Sequence, residues 1–197
     1  NNDSNYIKDG FLYLDNKKYV NLDDMLLKGT HNYENLLASL LVVKLFNLEK
    51  EKVTEFIKTF RGVEHRIEYV KTIDGVDYYN DSKSTNPTAT ITALKTFNKP
   101  IHLILGGLNR NQDFNELNNY LDNVKIIYSI GEVTEIVSDY AQTKNIPCIK
   151  CYNLNTAIQK IKENVECGEI VLLSPGSSSQ DQYKKFEDRG DEFKKLI

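Results

Sequence analysis

The chain has 197 residues, of which 40% are hydrophobic and 27% are charged, with ten glycines and four prolines. This composition excludes disordered, collagen-like and low-complexity proteins, and the length suits one large domain or one and a half ordinary ones. The formal net charge of −3 lacks the basic surplus typical of proteins that bind a nucleic-acid backbone, so we expect small anions at most and no nucleic-acid partner.

The apolar stretches of the chain are too short to cross a bilayer. The longest, residues 36–46, is interrupted by Ser39 and Lys44, whereas a spanning helix needs about 20 apolar residues. No charged and then apolar signal segment opens the chain, so we expect no membrane partner and a cytoplasmic location. Because the chain begins with Asn1 and its single Met is Met25, we expect a piece of a longer protein.

The pattern of residues 1–61 is typical of the end of a domain rather than of a complete domain. Apolar residues on both sides of a turn at 15–18 predict a hairpin. The segment 32–46 predicts a helix that is apolar on nearly all sides and is therefore expected to be buried on most of its surface. A shorter helix with one apolar face is predicted over 50–59. Two helices and a hairpin, with no sheet to pack on, make a poor independent domain.

From residue 62 onward, short strands alternate with helices. Two strands flank Asp74-Gly75, a strong hairpin signal, and Asn86-Pro87 predicts the capped start of a helix. The strands that follow are predicted over 101–105, 124–128, 147–151 and 170–173. The helices between and after them are predicted over 115–121, 132–143, 154–165 and 186–196. This alternation predicts an α/β fold, with a Rossmann-like, mainly parallel sheet over residues 62–197.

The cysteines and histidines lack the spacing of a metal site. Cys148 and Cys151 spell CxxC inside a predicted strand, where residues three apart face opposite sides. No second pair completes four zinc ligands, so we interpret both as structural thiols and expect no metal site in this chain. His102 lies inside a predicted strand and is interpreted as a packed core residue.

Three polar loops follow predicted strands, which is where open parallel sheets bind ligands. They comprise residues 80–86, 106–110 and 174–179. In the first loop, Asp81 suits ribose hydroxyls, and Lys83 with the following helix N-terminus favours an anion. An Asx-turn with a helix cap explains that loop equally well. Arg110 in the second loop is either a bidentate grip for a carboxylate or phosphate, or a solvated loop charge.

The sequence contains none of three familiar enzyme motifs. There is no Gly-x4-Gly-Lys-Ser/Thr P-loop and no Gly-x-Gly-x-x-Gly dinucleotide fingerprint. A Gly-x-Ser-x-Gly nucleophile elbow is also missing. The missing dinucleotide fingerprint weighs against a dehydrogenase, and the missing nucleophile elbow weighs against a serine hydrolase. This chain also contains no P-loop.

Taken in order, several segments resemble the bacterial Mur ligases. They are GVEHRIE at 62–68, NDSKSTN at 80–86, LGG at 105–107 and LSPGSSSQDQYKKFEDRGDEF at 173–193. The segment HNYENLLA at 31–38 is similar to the last helix of the family's central domain. The resemblance covers nearly the whole chain, and the final long stretch resembles the branch of the family that adds D-glutamate.

The resemblance implies a three-domain enzyme, of which residues 1–61 are the helical and hairpin remnant of the central ATP-binding domain and 62–197 the C-terminal domain. The implied reaction is ATP-driven amide bond formation between UDP-N-acetylmuramoyl-L-alanine and D-glutamate, through an acyl phosphate. ATP and Mg²⁺ are the implied cofactors, and most Mg²⁺ ligands are expected in the missing domains, which are the implied partners in the same chain. The segment alone is expected to be inactive.

The resemblance also implies roles for individual residues. The implied ATP contacts are Asn35, Arg66 and Asp81. The implied catalytic residues are Lys83 and Arg66. The implied D-glutamate pocket consists of Lys83, Thr85, Arg110, Ser179 and Phe186. Arg110 stands where some members carry Lys, and Gln180 stands where others carry an apolar residue.

Two other interpretations remain open at this point. One is a different Mur ligase or a folylpolyglutamate-type synthase, which would differ in the amino acid that is added. The other is a stand-alone module that binds a nucleotide or anion without catalysis.

Overall fold

The computed structural model describes residues 4–25, 27, 30–60 and 62–197. The chain divides into two compact units, Asn1–Gly62 and Val63–Ile197. Each unit has its own strands, helices and hydrophobic core. No helix among the described residues combines the length and the apolar character that a bilayer crossing requires.

The N-terminal unit contains a three-stranded antiparallel sheet and two helices. Its elements are β1 (Tyr6–Lys8), β2 (Phe11–Leu14), β3 (Lys17–Asn21), α1 (Thr30–Val43) and α2 (Lys50–Thr59). The predicted hairpin is β2–β3, and it turns through Asp15 and Asn16, both of which have positive φ. Strand β1, which the sequence did not indicate, pairs with β2 and gives the unit a small sheet. The core of the unit consists of Leu12, Leu14, Val20, Leu22, Met25, Leu40 and Ile57.

The prediction that the first helix is buried on most sides is wrong. Leu40 is 2% exposed, but Val42 is 56% exposed, and Leu45 in the 3₁₀ turn after α1 is 79% exposed. Three short strands can cover only one side of a helix, so an apolar helix on this sheet keeps an exposed apolar face. Phe56 of α2 likewise stays 63% exposed, although its neighbour Ile57 is buried.

The C-terminal unit is a six-stranded sheet with its connecting helices. Its elements are β4 (Glu68–Ile73), β5 (Val76–Asn80), α3 (Pro87–Leu94), β6 (Ile101–Gly106), β7 (Val124–Ile130), α4 (Thr134–Thr143), β8 (Cys148–Tyr152), α5 (Leu154–Asn164), β9 (Ile170–Leu173) and α6 (Phe186–Leu196). The strand order is β4-β5-β9-β6-β7-β8. Only β4 runs antiparallel to its neighbour. The predicted α/β fold with a mainly parallel sheet is thereby confirmed.

Local sequence signals set several of these boundaries. Asp74 and Gly75 both have positive φ, as a two-residue hairpin turn requires. The Asn86 side chain accepts a hydrogen bond from the Ala89 N–H at 2.9 Å and caps α3 as predicted. In the two central strands β6 and β9, alternate apolar residues enter separate cores on the two faces of the sheet, and every residue of these strands is buried.

Two helix predictions in this unit need correction. The segment 115–121 forms only a short 3₁₀ turn, Phe114–Leu117. Asparagine side chains compete for backbone hydrogen bonds, and three asparagines in this segment oppose a regular helix. Helix α4 begins two residues later than predicted, because Gly131 with its positive φ forms a turn whose carbonyl accepts the Thr134 hydroxyl at 2.7 Å.

His102 is buried as predicted, but it belongs to a polar network rather than an apolar core. Its Nδ1 lies 2.9 Å from the Tyr128 hydroxyl and its Nε2 lies 2.7 Å from Glu169 Oε2. Lys125 donates to Glu169 Oε1 at 2.6 Å. Burial lowers the pKa of His102. Burial alone would raise the pKa of Glu169, but hydrogen bonds from Lys125, the Glu166 N–H and His102 outweigh it and hold that pKa below its usual range.

Cys148 and Cys151 both lie on β8, the former half-buried and the latter buried. The Cys148 thiol lies 3.6 Å from the Ser129 hydroxyl, and the Cys151 thiol donates to the Ile149 carbonyl at 3.4 Å. Burial raises the pKa of both thiols, that of Cys151 to about 11. Both sulfurs therefore carry their protons at neutral pH.

Candidate functional site

The three polar loops lie side by side at the carboxyl edge of the sheet, because β5, β9 and β6 are neighbours. The Asp81 N–H donates to the Leu173 carbonyl at 2.7 Å, which joins the first loop to the third. The Leu108 N–H donates to the Ser178 carbonyl at 2.8 Å, which joins the second loop to the third. These contacts bring the three polar loops that follow strands together at one edge of the sheet.

Asp81 is the buried carboxylate of this edge, with 2% exposure. Its Oδ1 accepts the Ile67 N–H at 3.1 Å, and its Oδ2 accepts the hydroxyls of Ser174, at 2.7 Å, and of Ser84. Burial raises the pKa of Asp81 to about 6, against the opposing effect of these hydrogen bonds and of Arg66. Since a carboxylate oxygen has two lone pairs, Oδ1 can accept one further hydrogen bond from a ligand hydroxyl.

A small cavity opens beside Asp81. It is lined by Arg66, Ile67, Asp81, Lys83, Ser84, Ala89 and Thr92. Arg66 and Lys83 are exposed, and no carboxylate of the described ranges lies within 4.0 Å of the Lys83 ammonium. A buried carboxylate next to two cations and the first turn of α3 fits a ligand that has both hydroxyl and phosphate groups, such as the ribose and phosphates of a nucleotide.

His65 and Asn80 hold the backbone of the first loop, and sequence reasoning gave neither of them a role. The Lys83 N–H donates to the His65 carbonyl at 3.0 Å. His65 Nδ1 lies 3.0 Å from Asn80 Nδ2, and Asn80 Oδ1 accepts the Ser82 N–H at 3.1 Å in an Asx-turn. The alternative explanation of this loop was an Asx-turn followed by a helix cap. Asn80 forms that turn and Asn86 forms that cap, so the Asp81 side chain has neither of these structural roles.

The predicted amino-acid side of the site involves the third loop and the start of α6. Ser82 Oγ donates to the Phe186 carbonyl at 2.7 Å, so the residue before Lys83 contacts the start of α6. Ser179 is buried, and its carbonyl accepts the N–H groups of Gln182 and Tyr183. Its side chain therefore sits on a fixed turn at the same sheet edge as the first loop.

Arg110 extends from the second loop to the third. Its Nη2 donates to Gln180 Oε1 at 2.5 Å, and both side chains are exposed. The two positions that the resemblance predicts to differ among family members are thus direct neighbours. Thr85 is exposed in the first loop, and Asn35 is exposed on α1 of the N-terminal unit. The ligand-binding and catalytic roles of all the candidate residues stay predictions.

An acidic cluster beside the first loop is paired with a lysine. Glu64, His65 and Asp191 bring three possible metal ligands within 4.8 Å of one another. The Lys194 ammonium lies 3.3 Å from Asp191, 3.6 Å from Glu68 and in direct contact with Glu64. Lysine thus already supplies the positive charge that these carboxylates attract.

Comparison with known proteins identifies the domain. The family model for the Mur ligase glutamate ligase domain matches residues 65–176. A UDP-N-acetylmuramoylalanine–D-glutamate ligase from Macrococcus caseolyticus is 42% identical over 188 residues, covering 95% of this chain and 42% of that protein. The enzyme of the same name from Caldanaerobacter subterraneus is 40% identical, covering 98% of this chain and 44% of its own length. The chain thus spans less than half the length of these relatives.

Solved structures share the fold at lower identity. The UDP-N-acetylmuramate-alanine ligase MurC from Thermotoga maritima superposes with a TM-score of 0.65 at 16% identity, covering 86% of this chain and 38% of that one. A pseudomurein peptide ligase type C from Methanothermus fervidus gives a TM-score of 0.63 at 13% identity, covering 97% and 41%. With the family model matching residues 65–176 and relatives at about 40% identity over nearly its full length, the chain belongs to the Mur ligase family.

Proposed function

We propose that the chain is part of a cytoplasmic, ATP-dependent ligase that adds D-glutamate to UDP-N-acetylmuramoyl-L-alanine during synthesis of peptidoglycan precursors. The observation that carries this proposal is the meeting of the buried Asp81, the cations Arg66 and Lys83, and the serine loop at one sheet edge. The choice of D-glutamate is supported by relatives at about 40% identity that are named for this addition.

In this proposal, residues 1–61 are the end of a central ATP-binding domain and residues 62–197 are the C-terminal domain. Support comes from the length of the relatives, which are more than twice as long as this chain. Asn35 would contact the adenine side of ATP from α1. The other domains of the same protein would bind the UDP-sugar and supply the P-loop and the Mg²⁺ ligands.

The proposed chemistry proceeds in two steps. The γ-phosphoryl group of ATP passes to the carboxylate of UDP-N-acetylmuramoyl-L-alanine, and ADP leaves. The amine of D-glutamate then attacks the carbonyl carbon of this acyl phosphate, an amide bond forms and phosphate leaves. Bound Mg²⁺ would neutralise charge on the phosphates.

The residues of this chain would act by positioning and by stabilising charge. Asp81 would accept a ribose hydroxyl through Oδ1, and Arg66 would hold a phosphate. Lys83 would stabilise the negative charge that develops at the reacting centre. The carboxylates of D-glutamate would be held by charged and hydroxyl donors and by the turn at α6, namely Lys83, Thr85, Arg110, Ser179 and Phe186.

Kinetics of the full-length enzyme test this assignment. We expect Lys83→Ala to lower D-glutamate-dependent ADP release by about 100-fold or more, the usual cost of removing one charge-stabilising donor. Lys195→Ala removes an exposed lysine from α6 and serves as the control with wild-type rates. Near-normal turnover of Lys83→Ala would show that the first loop has only a structural role.

Two further measurements separate the other interpretations. An amino-acid screen of the full-length protein should select D-glutamate, and selection of a different amino acid would place the protein with another Mur ligase or a folylpolyglutamate-type synthase. The chain of 197 residues alone should release no phosphate in response to D-glutamate. Measurable release would contradict the proposed need for the other domains.

A further inference from the structure

Arg189 is a buried arginine that contacts two of the site loops. It lies in the first turns of α6 and is 1% exposed. Its Nε donates to Ser82 Oγ at 3.0 Å, and its Nη2 donates to the Ser82 carbonyl at 2.9 Å. Its Nη1 and Nη2 also donate to the Ser177 carbonyl, at 3.2 and 3.1 Å. All four hydrogen bonds therefore end on one residue of the first loop and one residue of the third.

Among the described residues, the Arg189 guanidinium contacts these loops through hydrogen bonds and forms no direct ion pair with a carboxylate. Within the described ranges, no carboxylate lies within 4.0 Å of Arg189. Burial lowers the pKa of Arg189 to about 10, while Asp181, Tyr183 and Asp81 act in the opposite direction, so the group stays charged at neutral pH. A buried cation costs free energy unless hydrogen bonds offset its desolvation. Here backbone carbonyls and one hydroxyl supply those bonds.

The two residues that Arg189 holds are next to the proposed substrate contacts. Ser82 precedes Lys83 directly, and its hydroxyl donates onward to the Phe186 carbonyl at 2.7 Å. Ser177 lies two residues before Ser179 in the turn of the third loop. One guanidinium thus fixes the distance between the backbone that carries Lys83 and the backbone that carries Ser179.

The second loop packs against the same arginine. A Cβ added at Gly107 would lie 3.2 Å from Arg189 Nη1 and 2.3 Å from the Ser178 carbonyl. The absence of a side chain at Gly107 therefore lets the second loop approach the guanidinium and the third loop together. Arg189 consequently sits where all three site loops meet.

We propose that Arg189 is a positioning residue that sets the width of the amino-acid pocket by tying the Lys83 loop to the Ser179 loop. The inference rests on the proposed function, since the pocket is the one assigned to D-glutamate. Arginine suits this task because its planar fork can donate in two directions at once, whereas the single ammonium of lysine cannot reproduce that geometry. If this connection between the two loops were weakened, the residues that contact the substrate would still be present but would be misplaced. Such misplacement strongly lowers the reaction rate.

Steady-state kinetics of the full-length ligase test this inference. We expect Arg189→Lys to raise the KM for D-glutamate at least 10-fold, with a much smaller change in the KM for UDP-N-acetylmuramoyl-L-alanine. Guanidinium chloride at low millimolar concentration should restore part of the D-glutamate affinity to Arg189→Ala and leave Arg189→Lys unchanged. The control is Phe193→Leu, which alters a fully buried side chain of the same helix that packs in the core instead of on the loops.

Thermal unfolding of the same variants separates positioning from stability. The inference holds if Arg189→Lys raises the D-glutamate KM while its Tm falls no further than that of Phe193→Leu. It is overturned if Arg189→Lys leaves the D-glutamate KM unchanged, or if the KM rises only together with a Tm loss larger than that of Phe193→Leu. Wild-type enzyme that does not use D-glutamate at all would instead refute the proposed function, so the two failures are distinguishable.

Discussion

Ionisation of the buried Asp81 carboxyl group lowers the free energy of unfolding. Because burial raises its pKa to about 6 from the ordinary value of 3.8, the folded state holds the proton more tightly than the unfolded chain. The protonated carboxyl group therefore makes its full contribution to stability below pH 3.8, and this contribution is lost as the pH rises toward 6. The loss amounts to about 3 kcal/mol in total, at about 1.4 kcal/mol per pKa unit.

Denaturant titrations between pH 4 and 7 measure this dependence. We expect Asp81→Asn to gain stability relative to wild type as the pH rises, because the amide does not ionise. The matched control is Asp139→Asn, which changes an exposed carboxyl of α4 and should leave the difference from wild type flat. Parallel curves for both variants would contradict the raised pKa.

The contact between Arg110 and Gln180 gives a second prediction at this scale. In the full-length enzyme, Gln180→Leu should raise the KM for D-glutamate several-fold, because an exposed hydrogen bond is worth about 1 kcal/mol. If Gln180 acts by orienting the guanidinium, the same substitution should have little further effect in an Arg110→Lys background. Equal effects in both backgrounds would show that Gln180 acts independently of Arg110.

Sequence reasoning identified polar residues of the site but not their contacts. Asp81 was singled out because it follows a strand, yet its partner Ser174 lies 93 residues further along the chain. Nothing local marks such a pairing. Arg189 stands among charged residues of an amphipathic helix, where an arginine is normally solvated, so its burial follows only from the packing of α6 on the loops.

At the scale of elements, the start of α3 offers a clean test of a local signal. Asn86→Ala should lower the free energy of unfolding by about 1 kcal/mol, because the Ala89 N–H loses its acceptor. Asn86→Ser keeps a capping oxygen and should be close to neutral. Equal destabilisation by Ala and Ser, measured by urea titration, would show that the loss does not come from the capping oxygen.

Elements were predictable where the signal is local. The Asp74-Gly75 hairpin and the capped helix α3 follow from two-residue patterns, and both form as expected. The burial of α1 was predicted wrongly because it depends on how much sheet lies beside the helix, which the helix sequence does not encode. The segment 115–121 was predicted to be a helix, but it forms only a 3₁₀ turn, and its three asparagines oppose a regular helix.

At the scale of the whole molecule, different polar groups lie at the two ends of the parallel strands, and the proposed site lies at their carboxyl ends. The network of His102, Glu169 and Lys125 lies at the amino edge, away from the proposed site. The lowered pKa of His102 makes its contribution to stability full above pH 6.5 and lost as the pH falls below that value. The lowered pKa of Glu169 likewise contributes stability that is lost in stronger acid, as the pH falls through its folded value.

Substitution of Glu169 separates stability from activity. We expect Glu169→Gln to lower the free energy of unfolding at pH 7 by about 1.5–3 kcal/mol, the range for a buried hydrogen bond to a charged group. The D-glutamate KM of the folded enzyme should stay near the wild-type value. Glu166→Gln, which removes an exposed partner of the same Lys125, is the control and should change stability little. A large KM change would show that the two edges are coupled.

Alternating strands and helices were sufficient to predict an α/β sheet, but not the order of its strands. That order places β9, which is formed late in the sequence, between β5 and β6 in the middle of the sheet. The pairing joins segments about 90 residues apart, and no local pattern specifies which neighbours a fully apolar strand will choose.

The central position of β9 has a consequence for synthesis on the ribosome. Until residues 170–173 have emerged, β5 and β6 each expose an unpaired edge, a state prone to wrong association. Ser174, Ser177 and Arg189 emerge later still, so until then Asp81 lacks its hydrogen bond from Ser174 and Ser82 lacks its hydrogen bonds from Arg189. A nascent chain that stops before residue 170 would therefore carry the residues of the first loop but not the site.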